Sequence, residues 1–182
     1  RLAMEQSPEQ IAGRLALVSG PDGAPLADVT AAAGRALISL KGAQVLSFAP
    51  AGADDLLWLS PAARLGGPDP IRGGVPVCWP WFAAHPSDPA GPMHGFARTA
   101  DWQVIDASVT AQTNDVRIVF GFASKPGHSD LWPFAARLKL TVTVGSALSL
   151  ELETHNSGSQ AFALTQALHA YFRVGDVAQA SV

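Results

Sequence analysis

Residues 138–154 contain two neighbouring runs in which apolar and polar residues alternate. Leucine or valine occupies every second position of residues 138–144, and leucine does so over residues 148–152. Successive side chains of a β-strand point to opposite faces, so this period of two predicts two strands, each with one apolar and one polar face. Each strand is therefore expected to cover a hydrophobic core from one side.

The loop between these two runs also predicts how the strands pair. Residues 145–147 separate the runs, and a three-residue loop sets Val144 opposite Leu148 and Lys139 opposite Glu153. A two-residue loop would set apolar residues against polar ones, because a shift of one residue moves every side chain to the other face. The sequence therefore predicts an antiparallel hairpin with a three-residue loop.

Further short apolar runs predict that the rest of the chain is also built from strands. Gly, Pro and Asp, which are typical of turns, separate these runs, and no stretch of helical length has a period of 3.6. The predicted strands are residues 15–18, 36–40, 43–49, 56–59, 116–122 and 161–174. We therefore expect an all-β protein, an antiparallel sandwich or barrel, in which residues 1–182 form a single domain.

Residues 60–92 differ from the rest of the chain in composition. They hold more than half of the fourteen prolines, and since proline lacks an N–H and fixes φ, little regular structure is expected there. The same segment contains Trp79, Trp81 and Phe82. These rings could stack on a ring-shaped ligand such as a sugar, or they could fill a small satellite core, which is the commoner role.

Composition and charge argue against several classes of protein. Apolar residues make up 48% of the chain and charged residues 15%, which is typical of a folded domain. The net charge of -3, without a basic stripe, argues against a nucleic-acid partner. No apolar stretch reaches the length of a membrane span, and residues 1–10 carry no apolar signal core, so a cytoplasmic protein without a membrane partner is expected.

Five histidines are candidates for proton transfer, because histidine titrates near neutral pH. His85, His128 and His155 lie in loops or turns, where a structural or solvated role is expected. His169 lies on the predicted strand 161–174, on a face that carries small and then polar side chains. It could sit on the floor of a ligand site or be an exposed histidine of an outer face, and its spacing leaves both interpretations open.

Two short motifs with arginine and glycine are candidate binding segments. His94 and Arg98 flank Gly95 and could face one site, although an ordinary loop junction has the same pattern. Arg72 precedes two glycines whose open N–H groups would suit an anion, although an arginine that braces a turn is common. Arginine outnumbers lysine nine to three, and a guanidinium can hold phosphate or carboxylate through two bonds.

Three segments together resemble the signature motifs of one enzyme family. They are residues 71–82 (IRGGVPVCWPWF), residues 92–98 (PMHGFAR) and residues 164–176 (LTQALHAYFRVGD). The set is similar to that of the hexose-6-phosphate mutarotases, or glucose-6-phosphate 1-epimerases, within the galactose mutarotase-like superfamily. The resemblance runs from about residue 41 to the end of the chain.

The resemblance implies a β-supersandwich that interconverts the α and β anomers of an aldohexose 6-phosphate by general acid–base catalysis. By the matching motif position, His169 is implied to be the catalytic histidine, which donates a proton to the ring oxygen. Arg72 and Arg98 match substrate-binding arginines, expected at the phosphate, and His94 is expected to line the sugar site. The implied partner is a small sugar phosphate, and no metal or other cofactor is implied.

The chain departs from the family pattern in two places. Met93 stands where relatives carry a polar residue, often glutamine, that contacts the sugar. The family's glutamate base lies downstream of residue 182, while Glu151 and Glu153 are interpreted as a solvated strand face. The domain is therefore expected to be truncated at its C-terminus. Two alternatives stay open: a non-catalytic sugar-phosphate-binding or interaction module of the same fold, and a mutarotase for unphosphorylated aldoses.

Overall fold

The computed structural model describes residue 11 and residues 14–127 and 129–181. Within these residues every pair of strands is antiparallel, and the helical elements are 3-10 turns of three residues each. The all-β antiparallel prediction is confirmed. None of the described residues belongs to a helix long and apolar enough to cross a membrane. The predictions for residues 1–10 and for the turn at His128 lie outside the described residues.

The first sheet is an antiparallel meander in the order β1-β2-β3-β4. Its strands are β1 (Leu15–Ser19), β2 (Pro25–Thr30), β3 (Gly34–Ser39) and β4 (Gln44–Pro50). The strands predicted at 15–18, 36–40 and 43–49 are thereby confirmed, whereas β2 was not predicted. Gly42, in the turn between β3 and β4, has a φ of 73° and lies so close to the Arg98 carbonyl that a Cβ would be 2.5 Å from it. Only glycine combines this φ with this approach, which brings the first sheet against the segment around Arg98.

The second sheet has the order β6-β7-β8-β9 and contains the hairpin predicted from the alternation. Its strands are β6 (Gln103–Val109), β7 (Val116–Ser124), β8 (Ala136–Val144) and β9 (Leu148–Asn156). The predicted register is confirmed, with Val144 opposite Leu148 and Lys139 opposite Glu153. Lys139 Nζ and Glu153 Oε1 are 2.6 Å apart on the outward face.

Both four-stranded sheets contribute to one hydrophobic core. The fully buried side chains include Val29, Ile38 and Val45 from the first sheet and Ile118, Phe120, Leu140 and Val142 from the second. Burying each such side chain stabilises the fold by about 1.5–3 kcal/mol. A second, smaller cluster contains Leu26, Leu46, Leu65 and Ile71, and it joins the first sheet to the long loop that follows β4.

The strand predicted at 161–174 is wrong for most of its length. Only two short strands pair here: β5 (Val77–Cys78) and β10 (Ala167–Leu168). The carbonyls of Pro76 and Pro80 accept the N–H groups of His169 and Thr165, each at 3.1 Å. Because a proline has no N–H to donate, this partner segment cannot return the bonds that a continuous ladder needs.

Alternation along 161–174 would also place its apolar side chains on one face toward the core, and this holds for only part of the segment. Its first half packs against the main core through Phe162, Leu164, Leu168 and Ala170. Phe172 and Val174, which the alternation places on the same face, are 69% and 49% exposed. Alternation predicted a face of the segment here, but not how far along the segment the core extends.

Residues 56–59, predicted as a strand, are extended but form only isolated bridges. Leu57 bridges Phe172, and Leu59 bridges Gly73. Between them, Trp58 donates its N–H to the Tyr171 carbonyl at 2.8 Å. The segment therefore lies between two different irregular partners, and neither continues long enough to make a ladder.

Candidate active site

The structure places the four sequence-predicted site residues around one cavity of about 720 Å³. Arg72, His94 and Arg98 line it. His169 adjoins it, with its ring centroid 6.0 Å from that of His94 and 4.9 Å from that of Tyr171, another lining residue. These residues come from three separate irregular segments, so only the tertiary fold brings them together.

A second concave region, of about 770 Å³, lies on the outward face of the β6–β9 sheet. Its lining includes Gln103, Arg137 and Glu153, and none of the four candidate residues. The smaller cavity is the better candidate, because the predicted site residues and two buried polar atoms without described partners, Arg98 Nε and His169 Nδ1, lie at it or beside it.

A buried glutamine holds the backbone on both sides of Arg72. Gln44, at the start of β4, is 0% exposed, and its Nε2 donates to the carbonyls of Ile71 at 3.1 Å and Gly73 at 2.7 Å. Both amide hydrogens of this side chain are thereby used. With its flanking carbonyls fixed, Arg72 leaves an exposed guanidinium at the cavity.

The two glycines after Arg72 serve close packing of the backbone. Gly74 has a φ of 63°, and a Cβ there would lie 2.1 Å from the Val45 carbonyl oxygen. The expectation that these glycines leave their N–H groups open to an anion is wrong for Gly74, which donates to the Trp58 carbonyl at 2.8 Å. The Arg72 side chain remains available to a ligand.

His94 is held in one tautomer by its own loop. Its backbone N–H donates to the Ala83 carbonyl at 2.8 Å, and its ring Nδ1 accepts the Ala83 N–H at 3.0 Å. A nitrogen that accepts carries no proton, so the neutral ring has its hydrogen on Nε2. Burial, then the charge of Arg98, then His169, lower the pKa of His94 below its ordinary value of 6.5. His94 is therefore suited to donate a hydrogen bond through Nε2 as a neutral ring.

The glycine after His94 lets two backbone segments touch. Gly95 has a φ of 71°, and a Cβ there would lie 2.0 Å from the Trp79 carbonyl oxygen. That same carbonyl accepts the N–H groups of Phe96 at 3.1 Å and Ala97 at 3.2 Å. The chain is thus turned tightly just before Arg98.

Arg98 is oriented by backbone and retains a buried donor. Its Nη2 donates to the Met93 carbonyl at 2.5 Å, so position 93 orients Arg98 through its main chain. Its Nε is buried and has no hydrogen-bond partner among the described residues. Such a donor is costly to leave unpaired, which favours a ligand or water at this point.

His169 is half-buried among aromatic rings. Phe82 stacks on it, with ring centroids 6.2 Å apart and an interplanar angle of 27°, and the Tyr171 ring lies 4.9 Å away. Its Nδ1 is buried and has no partner among the described residues. Thr165, four residues before His169, accepts the Phe82 N–H through Oγ1 at 2.9 Å and thereby positions the stacked ring.

The aromatic residues of the long loop divide between the two interpretations. Trp79 and Trp81 are 0% and 4% exposed and belong to the main core, not to a satellite cluster. Phe82 is 42% exposed beside the histidines. Trp58, which sequence reasoning missed, is 41% exposed, lines the cavity and lies 6.1 Å from Tyr171. The neighbouring Leu57 is buried, and the uniformly apolar run 56–59 gives no sequence signal of which of its side chains face the cavity.

No group of three or more His, Cys, Asp or Glu side chains in the described part of the chain could hold a metal ion. The cavity has one carboxylate in its lining, that of Asp69, against arginines and a histidine. The chemistry available there is binding of an anion by guanidinium groups and proton transfer or donation by two histidines.

Comparison with known proteins agrees with this fold and with the family resemblance of the motifs. A family model described as aldose 1-epimerase matches residues 27–182. The chain is 38% identical over 149 residues to a Salmonella typhimurium protein named "Putative glucose-6-phosphate 1-epimerase", covering 81% of this chain and 48% of that protein. An Escherichia coli protein of the same name is 39% identical over 149 residues, with the same coverage. The chain spans about half the length of the curated relatives it matches.

Solved structures show the same architecture. A crystal structure of a "putative mutarotase (YeaD)" from Salmonella typhimurium superposes with a TM-score of 0.77 at 33% identity, over 90% of this chain and 56% of that one. A galactose mutarotase related enzyme from Lactobacillus acidophilus superposes with a TM-score of 0.64 at 17% identity, over 86% of this chain and 51% of that one, which supports the fold alone. The matched motifs, the antiparallel sheets and these comparisons agree, and the chain belongs to the aldose 1-epimerase family, with a galactose mutarotase-like fold.

Proposed function

We propose that the natural protein carrying this sequence interconverts the α and β anomers of an aldohexose 6-phosphate, most favourably glucose 6-phosphate. The observation that carries the proposal is the convergence of His94, His169, Arg72 and Arg98 around one cavity. The names of the two bacterial relatives support the same substrate. A cytoplasmic location stays a prediction from the sequence.

The two arginines support a phosphorylated substrate over a free sugar. Arg72 presents an exposed guanidinium, and Arg98 has a buried Nε without a described partner. Hydrogen bonds between a guanidinium and a phosphate are charge-assisted and contribute about 1.5–3 kcal/mol each. Such bonds would favour a 6-phosphate over a 6-hydroxyl.

The proposed reaction is a reversible ring opening. His169 as general acid gives a proton to the ring oxygen, while a base removes the proton of the anomeric hydroxyl. The C1–O5 bond breaks and C1 becomes an aldehyde. Rotation about C1–C2 followed by closure, with both proton transfers reversed, gives the other anomer. Histidine suits this step because a group with a pKa near neutrality exchanges protons in both directions.

The residues of the described cavity do not supply an obvious base. Asp69 is the carboxylate of its lining, and it lies on the same loop as Arg72. We propose that the base comes from the part of the natural protein that follows residue 182. The second candidate, a non-catalytic sugar-phosphate-binding module, is favoured if no carboxylate from elsewhere completes the cavity.

The test is anomer exchange in the natural full-length protein. Saturation transfer between the α and β anomeric protons of glucose 6-phosphate and of glucose measures the exchange rates directly. The variant His169→Asn keeps a hydrogen-bond donor but cannot transfer a proton, so exchange should fall by about 10²–10⁴-fold. The matched control His155→Asn removes an exposed histidine of β9, outside the cavity.

Three results would contradict the proposal. Binding of glucose 6-phosphate without accelerated exchange would support the non-catalytic module. Equal rates for glucose and glucose 6-phosphate would support a mutarotase for unphosphorylated aldoses. Near-normal exchange in folded His169→Asn would leave His169 a structural residue.

A further inference from the structure

A third arginine lines the same cavity as Arg72 and Arg98. Arg64 lies in the loop between Trp58 and Arg72, outside the three motifs that carry the family resemblance. Its side chain is exposed, and none of the described residues forms a hydrogen bond or ion pair with its guanidinium. The group is therefore available to a ligand in the cavity.

The loop that carries Arg64 is fastened on both sides of it. Before it, the Ala63 N–H donates to the Ser60 carbonyl at 2.9 Å, and the Ser60 N–H donates to the Arg72 carbonyl at 3.1 Å. After it, Leu65 is 7% exposed and packs in the smaller core cluster. An arginine that starts from an ordered backbone loses less conformational freedom on binding.

A buried lysine fastens the same loop further along. Lys41, 6% exposed in the turn between β3 and β4, donates through Nζ to the carbonyls of Gly67, at 2.7 Å, and Asp69. Lys41 is thereby occupied by the loop backbone. Lys41 does not line the cavity, so the loop brings arginine, not lysine, to the ligand.

The charges around the cavity match one class of ligand. Among the residues that line the cavity are the three guanidinium groups of Arg64, Arg72 and Arg98 and a single carboxylate, that of Asp69, which leaves a formal charge of two positive units. The neutral tautomer of His94 adds none. A phosphate monoester carries a charge of about -1.5 to -2 at pH 7.

We propose that Arg64 is a third phosphate contact and a specificity-determining residue, which makes the site select the dianion of a sugar 6-phosphate. The inference rests on the proposed function. Arg72 and Arg98, from the two motifs, would bind the phosphate. Arg64, from the loop before Arg72, would supply the further positive charge that balances a dianion. A site with two arginines and Asp69 would balance only a monoanion.

The experiment compares Arg64→Gln with Arg137→Gln in the natural full-length protein. Arg137 is an exposed arginine of β8, without a described partner and outside this cavity. Affinity is measured calorimetrically for glucose 6-phosphate and glucose, and inorganic phosphate is titrated as a competitor. We expect Arg64→Gln to weaken glucose 6-phosphate and inorganic phosphate by roughly tenfold and to leave glucose unchanged, since one exposed charge-assisted contact is lost.

Arg64→Lys keeps the charge and should recover part of the loss. The expected weakening should also shrink as salt is raised, because exposed charges are screened. A loss equal to that of Arg137→Gln, or equal losses for glucose and glucose 6-phosphate, would overturn the role of Arg64 while leaving the proposed function intact. A wild-type protein that does not prefer glucose 6-phosphate to glucose would instead overturn the proposed function, and the inference with it.

Discussion

The β8–β9 hairpin and the cavity region are held together by different interactions. In the hairpin, every residue from Ala136 to Val144 pairs with one from Leu148 to Asn156 through a regular ladder. Around the cavity, short irregular segments are joined by isolated bridges, by side-chain donors such as Gln44, and by residues in the left-handed region. A ladder distributes the stability of the hairpin over many equivalent hydrogen bonds. The arrangement of the cavity segments depends instead on a few individual hydrogen bonds of different kinds.

This difference has a functional reason. A regular strand presents side chains at a period of two, and neighbouring residues of one strand face opposite sides. The cavity brings Arg72, His94 and Arg98 to one place from two loops, which a ladder cannot do. Loops held by specific bonds can, and positive-φ residues such as Ala83 and His94 are typical of such functional sites.

The largest effect is expected at Gly95. Gly95→Ala would place a Cβ 2.0 Å from a backbone oxygen at a φ of 71°, so the two touching segments must separate. We expect the free energy of unfolding to fall by about 3 kcal/mol or more. Urea denaturation of the natural protein measures it.

Gly52→Ala is the matched control for this prediction. Gly52 has a φ of 74°, but no heavy atom lies within 4 Å of its would-be Cβ. The free energy of unfolding of Gly52→Ala should therefore fall by only about 1–2 kcal/mol, which is the cost of holding an alanine in the left-handed region. Equal losses at the two positions would mean that the cavity region is no more tightly packed than an open turn.

A smaller loss of unfolding free energy is expected from removing a side-chain hydrogen-bond donor near the cavity, and a still smaller loss from breaking an ion pair on the surface of the hairpin. Gln44→Met keeps the shape of the side chain but leaves two buried carbonyls unpaired, which should cost about 2–4 kcal/mol. It should also raise KM for the sugar phosphate more than it lowers kcat, because Arg72 loses its backbone support. Lys139→Gln breaks an exposed ion pair of the hairpin and should cost at most about 1 kcal/mol.

Thermal or urea unfolding, with initial-rate kinetics on the folded variants, separates these outcomes. If Lys139→Gln were the more damaging change, charge pairing and not the ladder would hold the hairpin. If KM stayed unchanged in Gln44→Met, the glutamine would be structural only.

The smallest effect is expected from pH. The pKa of His94 is lowered in the folded protein, by burial and then by Arg98 and His169, so the unfolded chain takes up this proton more readily. The free energy of unfolding should therefore fall as the pH drops below about 6.5, and this contribution levels off below the folded-state pKa. His94→Asn, which tolerates the left-handed φ, should lack this fall.

Unfolding of both proteins between neutral and mildly acid pH measures the difference. Long-range ¹H–¹⁵N spectra of the histidine rings provide a second measurement, since His94 should carry its proton on Nε2. His155→Asn, at an exposed position of β9, is the control from the hairpin. Parallel curves for wild type and His94→Asn would contradict the lowered pKa of His94, and a proton on Nδ1 would contradict the tautomer that the Ala83 bond requires.

The elements that could be predicted are those whose pattern is local. The hairpin register followed from the alternation and the loop length, and the strands β1, β3, β4 and β7 followed from apolar runs between turns. The four candidate site residues were singled out by residue type and position, with structural alternatives left open, and the motif resemblance then implied their roles; neither argument names their neighbours. Their roles stay predictions.

The elements that could not be predicted depend on partners far away in the chain. Residues 161–174 alternate like a strand, but the segment they pair with contains Pro76 and Pro80. Because these prolines have no N–H, they cannot donate the hydrogen bonds that a continuous ladder needs. The glycine N–H expected to bind an anion is used by Trp58 instead. Trp58 and Arg64 entered the cavity lining without a motif of their own.

Period-two alternation determined which sides of β8 and β9 are apolar, because that depends only on the backbone geometry of the strand itself. The tertiary structure decided which carbonyl each loop N–H meets and which arginines share a cavity. Those outcomes depend on contacts between segments many residues apart, such as Gln44 with Gly73 and Lys41 with Gly67. A local sequence pattern does not specify such a distant partner, and for that reason the arrangement of the site is seen only in the folded chain.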